Sequence, residues 1–247
     1  MPGEGFAPRH GPTPTPREMK EEEIWACIKD FVQAAKNAIL AGFDGVEIHG
    51  ANGYLVDQFT QDTCNQRSDN WGGSIENRSR FAIEIAKAIS DEIGPERVGF
   101  RLSPWSAFQG MLMHDPVPTF SYLAQQLRKL RLGYLHVIES RVNNNVDCES
   151  TASIDFILEI WETVSPILIA GGNNPDNIFQ AAGEKYRNQN AIFVFGRHFL
   201  SNPDLPYRLK NGIELNPYDR STFYTPEKPD GYIDYPFSEK FVPGTAL

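Results

Sequence analysis

Apolar and polar positions along this chain alternate between two rhythms. Ile24, Ile28, Phe31, Val32, Ala35 and Ile39 recur every three or four residues and Gly42 closes the run, as on a helix with one buried face. Thr15, Pro16 and Glu18 read as a capping-box start with proline in the first turn, so the helix is expected to begin there. Residues 45–49 follow as a short buried strand. Ser74 caps a further helix, with Phe81, Ile85 and Ile89 on its apolar face and Gly94 at its end. Beyond it the pattern predicts strands over 98–102, 134–138, 166–170 and 191–195. Helices are predicted over 120–132 and 154–164 and around 177–182.

Strands that read as apolar runs, separated by amphipathic helices, indicate a parallel sheet covered by helices, an α/β fold. Periodicity alone does not separate a doubly wound sheet from a barrel. Polar residues favour the barrel: His49, Arg101, Glu139, Gly172 with Asn173, and Gly196 with Arg197 stand at the C-terminal ends of successive strands. A TIM-type (β/α)8 barrel builds its site there, whereas an open sheet gathers such residues at one switch point. The count is about five βα units, with the first three strands of a barrel absent. The expected organisation is one partial β/α-barrel domain over 1–247. Residues 1–14 are read as a disordered or loop lead-in, and 213–247 as an extended tail rich in Pro, Asp and Tyr. An unclosed sheet exposes two edges, which favours self-association or pairing with the missing strands.

Composition narrows the partners. With 40% hydrophobic and 22% charged residues the chain can bury a substantial core. A net charge of −9 disfavours nucleic acid and anionic membranes. The first residues have neither the apolar core of a signal peptide nor the length of a membrane span. Cys27, Cys64 and Cys148 suggest neither a disulfide framework nor a zinc site, and His114, His136 and His198 show no metal-ligand spacing. These features point to a cytoplasmic protein. Glu21, Glu22 and Glu23 read as a solvated helix start.

His49, Asn52 and Tyr54 bring an imidazole, a carboxamide and a phenol to one strand end. Two neutral donors can hold a carbonyl or nitro oxygen as charge develops on it, and a phenol, protonated at neutral pH, can deliver a proton. Spacing alone is equally compatible with a hydrogen-bonded strand histidine and an ordinary amphipathic tyrosine.

The run GVEIHGANGYLVDQ from Gly45 to Gln58 is followed by Arg67, Asp69, Trp71-Gly72-Gly73-Ser74-Ile75-Glu76-Asn77-Arg78 and Arg101-Leu102-Ser103-Pro104. Gly172-Asn173, Phe195-Gly196-Arg197, Asn202-Pro203-Asp204-Leu205, Thr222-Phe223-Tyr224 and Gly231-Tyr232-Ile233-Asp234-Tyr235-Pro236 complete the series. In this order the motifs resemble the Old Yellow Enzyme family signature over nearly the whole chain.

The resemblance implies an FMN flavoprotein that reduces activated C=C bonds of enones, enals and nitroalkenes with hydride from NADPH or NADH. It implies that His49 and Asn52 hold the substrate oxygen and that Tyr54 donates the proton. It places Arg101 beside the flavin pyrimidine edge, Gly172, Asn173, Gly196 and Arg197 at the FMN phosphate, and Phe223 and Tyr224 along the substrate cavity. Two departures stand out. The early strands that carry other flavin contacts are absent, so a truncated product, a mispredicted reading frame or half of a split barrel are all open. Asn143-Asn144-Asn145-Val146 also stands where many relatives place a Pro-aromatic pair over the cavity. The competing reading is a non-catalytic remnant that cannot hold flavin competently. A Schiff-base lyase is disfavoured, because no lysine stands at a strand end.

Overall fold

The computed structural model describes residues 16–140, 142–143, 146–147 and 152–242. Helix α1 (Glu21–Leu40) leads into strand β1 (Val46–Gly50), followed by α2 (Leu55–Thr60), α3 (Ile75–Ile93) and β2 (Val98–Leu102). Next come α4 (Val117–Lys129), β3 (Tyr134–Ile138) and a two-stranded antiparallel ladder of β4 (Val142–Asn143) and β5 (Val146–Asp147). Helix α5 (Asp155–Trp161), β6 (Ile167–Ala170), α6 (Pro175–Gly183) and β7 (Ala191–Val194) complete the alternation, before α7 (Arg197–Ser201) and α8 (Leu205–Asn211).

The main sheet has five parallel strands in the order β1-β2-β3-β6-β7, the order in which the chain supplies them. A doubly wound sheet reverses direction at a switch point; this one never does, and right-handed crossovers repeated in one direction generate the wall of a barrel. Among the described residues the arc is open at β1 and β7. The five expected strands are all present, so the partial β/α barrel stands.

Two expectations need correction. The first helix begins at Glu21, not at Pro16: the Lys20 N–H donates to Glu23 at 2.8 Å and Arg17 pairs with the same carboxylate, so Glu23 rather than Glu18 closes the helix start. Thr15 and the lead-in lie outside the described residues, as do Asn144, Asn145 and Cys148. The strands, moreover, are not uniformly apolar. Ile48 on β1, Val98, Phe100 and Leu102 on β2, and Leu135 and Val137 on β3 are buried, while Glu47, His49, Arg101, Tyr134 and His136 alternate with them. Period-two alternation separates the two faces of the sheet. One face packs on the helices. The other is polar on β1 to β3 and carries Glu47, His49, Arg101, Tyr134 and His136.

The helix-facing core is aromatic-rich. Phe81 on α3 is fully buried between Phe59 on α2, at 4.2 Å between ring centroids, and Trp71, at 6.4 Å. Ser74 Oγ accepts the Asn77 N–H at the start of α3, as its sequence context predicts. Gly99 is dictated by packing, since a Cβ there would lie 2.1 Å from the Tyr134 ring. No described helix is long and apolar enough to cross a membrane.

Candidate active site

The C-terminal ends of the strands open onto a cleft of about 380 Å³. It gathers Asn52, Tyr54 and Arg101 from the first two βα units, Gly172, Asn173, Gly196 and Arg197 from the last two, and Phe223 and Tyr224 from beyond α8. His49 does not line the cleft itself; its ring lies 5.2 Å from that of Tyr54. These residues are up to 175 positions apart and meet only because parallel strands end on one side.

The first group sits on a tightly held loop. Asn52 and Gly53 both have left-handed backbones, at φ 57° and 71°. A Cβ on Gly53 would come within 2.8 Å of Gln109 Cβ, so only glycine fits there. The Asn52 N–H donates to Ser103 Oγ at 2.8 Å and its carbonyl accepts from Gln109 Nε2 at 3.0 Å, which ties the loop to the segment after β2. Tyr54 is the N-cap of α2 and is half exposed. It therefore presents its phenol to the cleft from the start of a helix.

His49 and Arg101 are register partners on neighbouring strands. Burial, and then the charge of Arg101, lower the basicity of His49. That favours a neutral imidazole with one N–H to offer. Beneath them His136 Nδ1 lies 2.9 Å from Glu47. Partial burial works to raise the Glu47 carboxyl, but hydrogen bonds from His136 and Tyr134 and the charges of His136 and Arg101 outweigh it and leave it below the ordinary value. The Tyr134 phenol is pushed up to about 12, first by burial and then by the Glu47 charge.

The second group is built differently. Asn173 is buried, and its Nδ2 donates to Ile169 O at 2.9 Å and Val194 O at 3.1 Å, so its side chain staples β6 to β7. Asn174 caps α6 through the Asp176 and Asn177 N–H groups. Gly171 and Gly172, at φ 102° and 65°, shape the turn between strand and helix. Arg197 opens α7; its Nη1 donates to Tyr218 Oη at 2.9 Å and its guanidinium lies over the Tyr218 ring. Phe223 packs against the same ring at 5.8 Å.

Several cleft residues were not singled out from sequence as site residues: Ser106 and Phe108 after β2, Glu139, His198 and Arg220. Glu139 was visible as a strand-end residue, and Arg220 precedes the Thr222-Phe223-Tyr224 motif by two positions. Tyr218, which aligns Arg197, carried no such signal.

A family model described as the NADH:flavin oxidoreductase / NADH oxidase family matches residues 6–216. The chain belongs to this family. It is 53% identical over 228 residues to chanoclavine-I aldehyde reductase fgaOx3 of Penicillium roqueforti strain FM164, covering 92% of this chain and 62% of that relative. It is also 50% identical over 236 residues to the probable inactive dehydrogenase easA of Claviceps purpurea strain 20.1, covering 93% and 62%. Among solved structures, morphinone reductase in complex with tetrahydroNAD aligns with a TM-score of 0.82 at 38% identity, covering 93% of this chain and 60% of that one. Old Yellow Enzyme from Pichia sp. AKU4542 aligns at 0.80 and 37%, covering 91% and 57%. The chain thus spans about three-fifths of the length of these relatives.

The family is one of FMN enzymes, and two features of the cleft fit that cofactor. Arg101 Nε is buried with no hydrogen-bond partner among the described residues, a donor left over for an acceptor that they do not supply. A Cβ placed on Gly196 meets no atom of the described residues within 4 Å, so their packing does not explain that glycine. Close approach of a phosphate to the backbone would.

Proposed function

We propose that this chain carries the substrate-activating and phosphate-binding side of an FMN-dependent reductase that reduces activated C=C bonds with NADPH or NADH. The observation that carries this reading is the meeting, in one cleft, of the Tyr54 phenol, the Asn52 carboxamide, Arg101 with an unspent N–H and the Gly196-Arg197 strand end, with the His49 ring 5.2 Å from that of Tyr54.

Bound FMN would supply hydride chemistry between the nicotinamide and the alkene. The residues divide the remaining work. His49 and Asn52 donate hydrogen bonds to the carbonyl or nitro oxygen, drawing electron density from the β-carbon so that it accepts hydride. Tyr54 Oη gives its proton to the α-carbon, so the π bond of C=C is replaced by one C–H bond at each carbon, with the C–C single bond kept and no free carbanion formed. Arg101 directs a fixed positive charge and its spare N–H at the flavin. Gly172, Asn173, Gly196 and Arg197 hold the phosphate, with Asn173 contributing through its backbone because its carboxamide is engaged with the strands. Phe223 and Tyr224 border the substrate. The relatives named for aldehydes, the chanoclavine-I aldehyde reductase and the aldehyde reductase FrzD of Cladobotryum sp, make a conjugated aldehyde the first substrate class to test.

A second reading, a flavin-free protein, draws support from relatives named as probably inactive. Flavin binding separates the two. The test is to titrate the purified chain with FMN, then follow anaerobic bleaching by NADPH and reoxidation by an enal. In the flavin-loaded protein, Tyr54→Phe is expected to leave bleaching nearly intact and to slow reoxidation. Equal slowing of both steps removes the proton-donor role, and absence of FMN binding favours the flavin-free protein.

A further inference from the structure

The cleft depends on a loop that turns through two left-handed residues directly before a helix. Asn52 and Gly53 are consecutive left-handed residues, and the next residue, Tyr54, must serve as N-cap of α2. Helix starts are normally capped by Ser, Thr, Asn or Asp, whose side-chain oxygen accepts a backbone N–H. Tyr54 makes no such bond. The helix entry therefore has to be held from elsewhere.

We infer that Asp57 is a positioning residue for Tyr54 and Asn52, because its carboxyl, from inside the first turn of α2, accepts the Gly53 N–H and fixes the backbone between them. The inference rests on the roles proposed above for those two residues. Asp57 Oδ2 lies 2.8 Å from Gly53 N, the reach-back arm of a capping box moved one residue upstream. The other peptide groups of the turn have their own partners: Ser103 Oγ on Asn52 N, Gln109 on Asn52 O, and Gln58 Nε2 on Gly53 O. Asp57 supplies the remaining contact, the acceptor for the Gly53 N–H, and no other described residue replaces it.

The surroundings make this carboxyl costly to keep for stability alone. Asp57 is completely buried, and Gln61 Nε2 at 3.1 Å is its other hydrogen-bond donor. Gln61 is completely buried too, and its Oε1 has no hydrogen-bond partner among the described residues. The titratable and charged groups nearby do not compensate a negative charge. Cys64 has its thiol pushed up by burial and by Asp57 itself. Arg78, across on α3, donates to Thr60 O, Gly73 O and Thr119 Oγ1, and Asp62 at 3.9 Å from it is exposed. Burial pushes the Asp57 carboxyl up to about 6, although the bonds from Gly53 and Gln61 work to lower it. An apolar side chain would fill the same space without that penalty. What it would not do is hold Gly53.

The test compares the wild-type 247-residue chain with Asp57→Ala, Asp57→Leu and Asp57→Asn. Asp57→Leu fills the volume should the alanine variant fail to fold, and Asp57→Asn keeps a neutral acceptor for Gly53. Amide exchange of Gly53 is expected to accelerate about tenfold or more in the alanine and leucine variants, the scale of one lost hydrogen bond, with Phe100 in β2 unchanged. Asp57→Asn is expected to restore protection, and to abolish any change of Gly53 exchange, beyond that of neighbouring amides, as pH passes through about 6. In flavin-loaded protein, reoxidation by an enal should slow about tenfold in Asp57→Leu and recover in Asp57→Asn, with bleaching by NADPH little affected. Unchanged Gly53 exchange in Asp57→Leu, or an asparagine variant as defective as leucine, overturns the inference. If Gly53 responds as expected while Tyr54→Phe leaves reoxidation untouched, the proton-donor reading fails and the loop-holding role of Asp57 stands.

Discussion

Replacing Asp57 by Asn should change how the stability of this chain depends on pH. The folded carboxyl titrates near 6 against an ordinary 3.8, because burial disfavours its charge. A raised folded-state pKa means that the folded chain binds the proton more tightly than the unfolded chain. The stabilisation from this group is then fully present below the unfolded value and is lost as pH rises through about 6. At about 1.4 kcal/mol per pH unit the whole shift corresponds to about 3 kcal/mol, of which about 2–3 kcal/mol falls between pH 4 and pH 8. Asparagine has no proton to lose. It keeps an oxygen for Gly53, and Gln61, whose Oε1 is unpartnered among the described residues, can turn its amide to meet the new N–H donor. The stability of Asp57→Asn relative to wild type should therefore grow by about 2–3 kcal/mol from pH 4 to pH 8. Urea unfolding at a series of pH values would read this as a midpoint difference that widens by roughly 1 M, given typical denaturant slopes. Taking the difference between the two chains cancels the other carboxylates. A difference that stays constant across that range would show that the buried carboxyl titrates as in solvent, and the reasoning would be wrong.

Two further outcomes follow from the cleft. His49→Ala or Asn52→Ala in flavin-loaded protein should weaken binding of phenols that mimic the substrate oxygen by about 1–3 kcal/mol, measured by optical titration; unchanged affinity in both removes the oxygen-holding role. Gly196→Ala should leave the thermal midpoint within a degree or two yet weaken FMN binding about tenfold or more, because the added Cβ meets no described atom within 4 Å but occupies the proposed phosphate approach. Equal FMN affinity in that variant would place the phosphate elsewhere.

The repeating βα pattern was legible because each element carries its own signal. Strands β2 and β3 lie where the apolar runs put them, and Ser74 and Gly94 bound α3 as their residue types suggest. The first helix was misplaced because two overlapping capping signals compete there. Pro16 and Glu18 satisfy the local pattern, but Arg17 and the Lys20 N–H converge on Glu23, and the side chain that gathers more partners sets the start. Sheet polarity was harder to read. Glu47, His49, Arg101, Tyr134 and His136 are spread over three strands, and only the register of those strands brings them to one face.

The site divides along the same line. Residues whose chemistry is unusual for their place, such as a histidine and an arginine at strand ends, could be picked out one at a time. Residues that act on the backbone could not. Nothing in the composition of Leu55-Val56-Asp57-Gln58 distinguishes a surface helix from a buried one, and an aspartate in the first turn ordinarily reads as a solvated charge favoured by the helix dipole. Its meaning changes only when α3 packs across α2 and takes the carboxyl out of water, leaving Gly53 and Gln61 as its donors. The same holds for Asn173, whose side chain is spent on two strands rather than on a ligand. A motif shared along a family therefore mixes groups that touch a substrate with groups that hold the first kind still. Separating them requires asking where each polar atom's hydrogen bonds go: by that measure Arg101 has an N–H left to give among the described residues, while the Asp57 oxygens already accept from Gly53 and Gln61 and the Asn173 amide already donates to two strands.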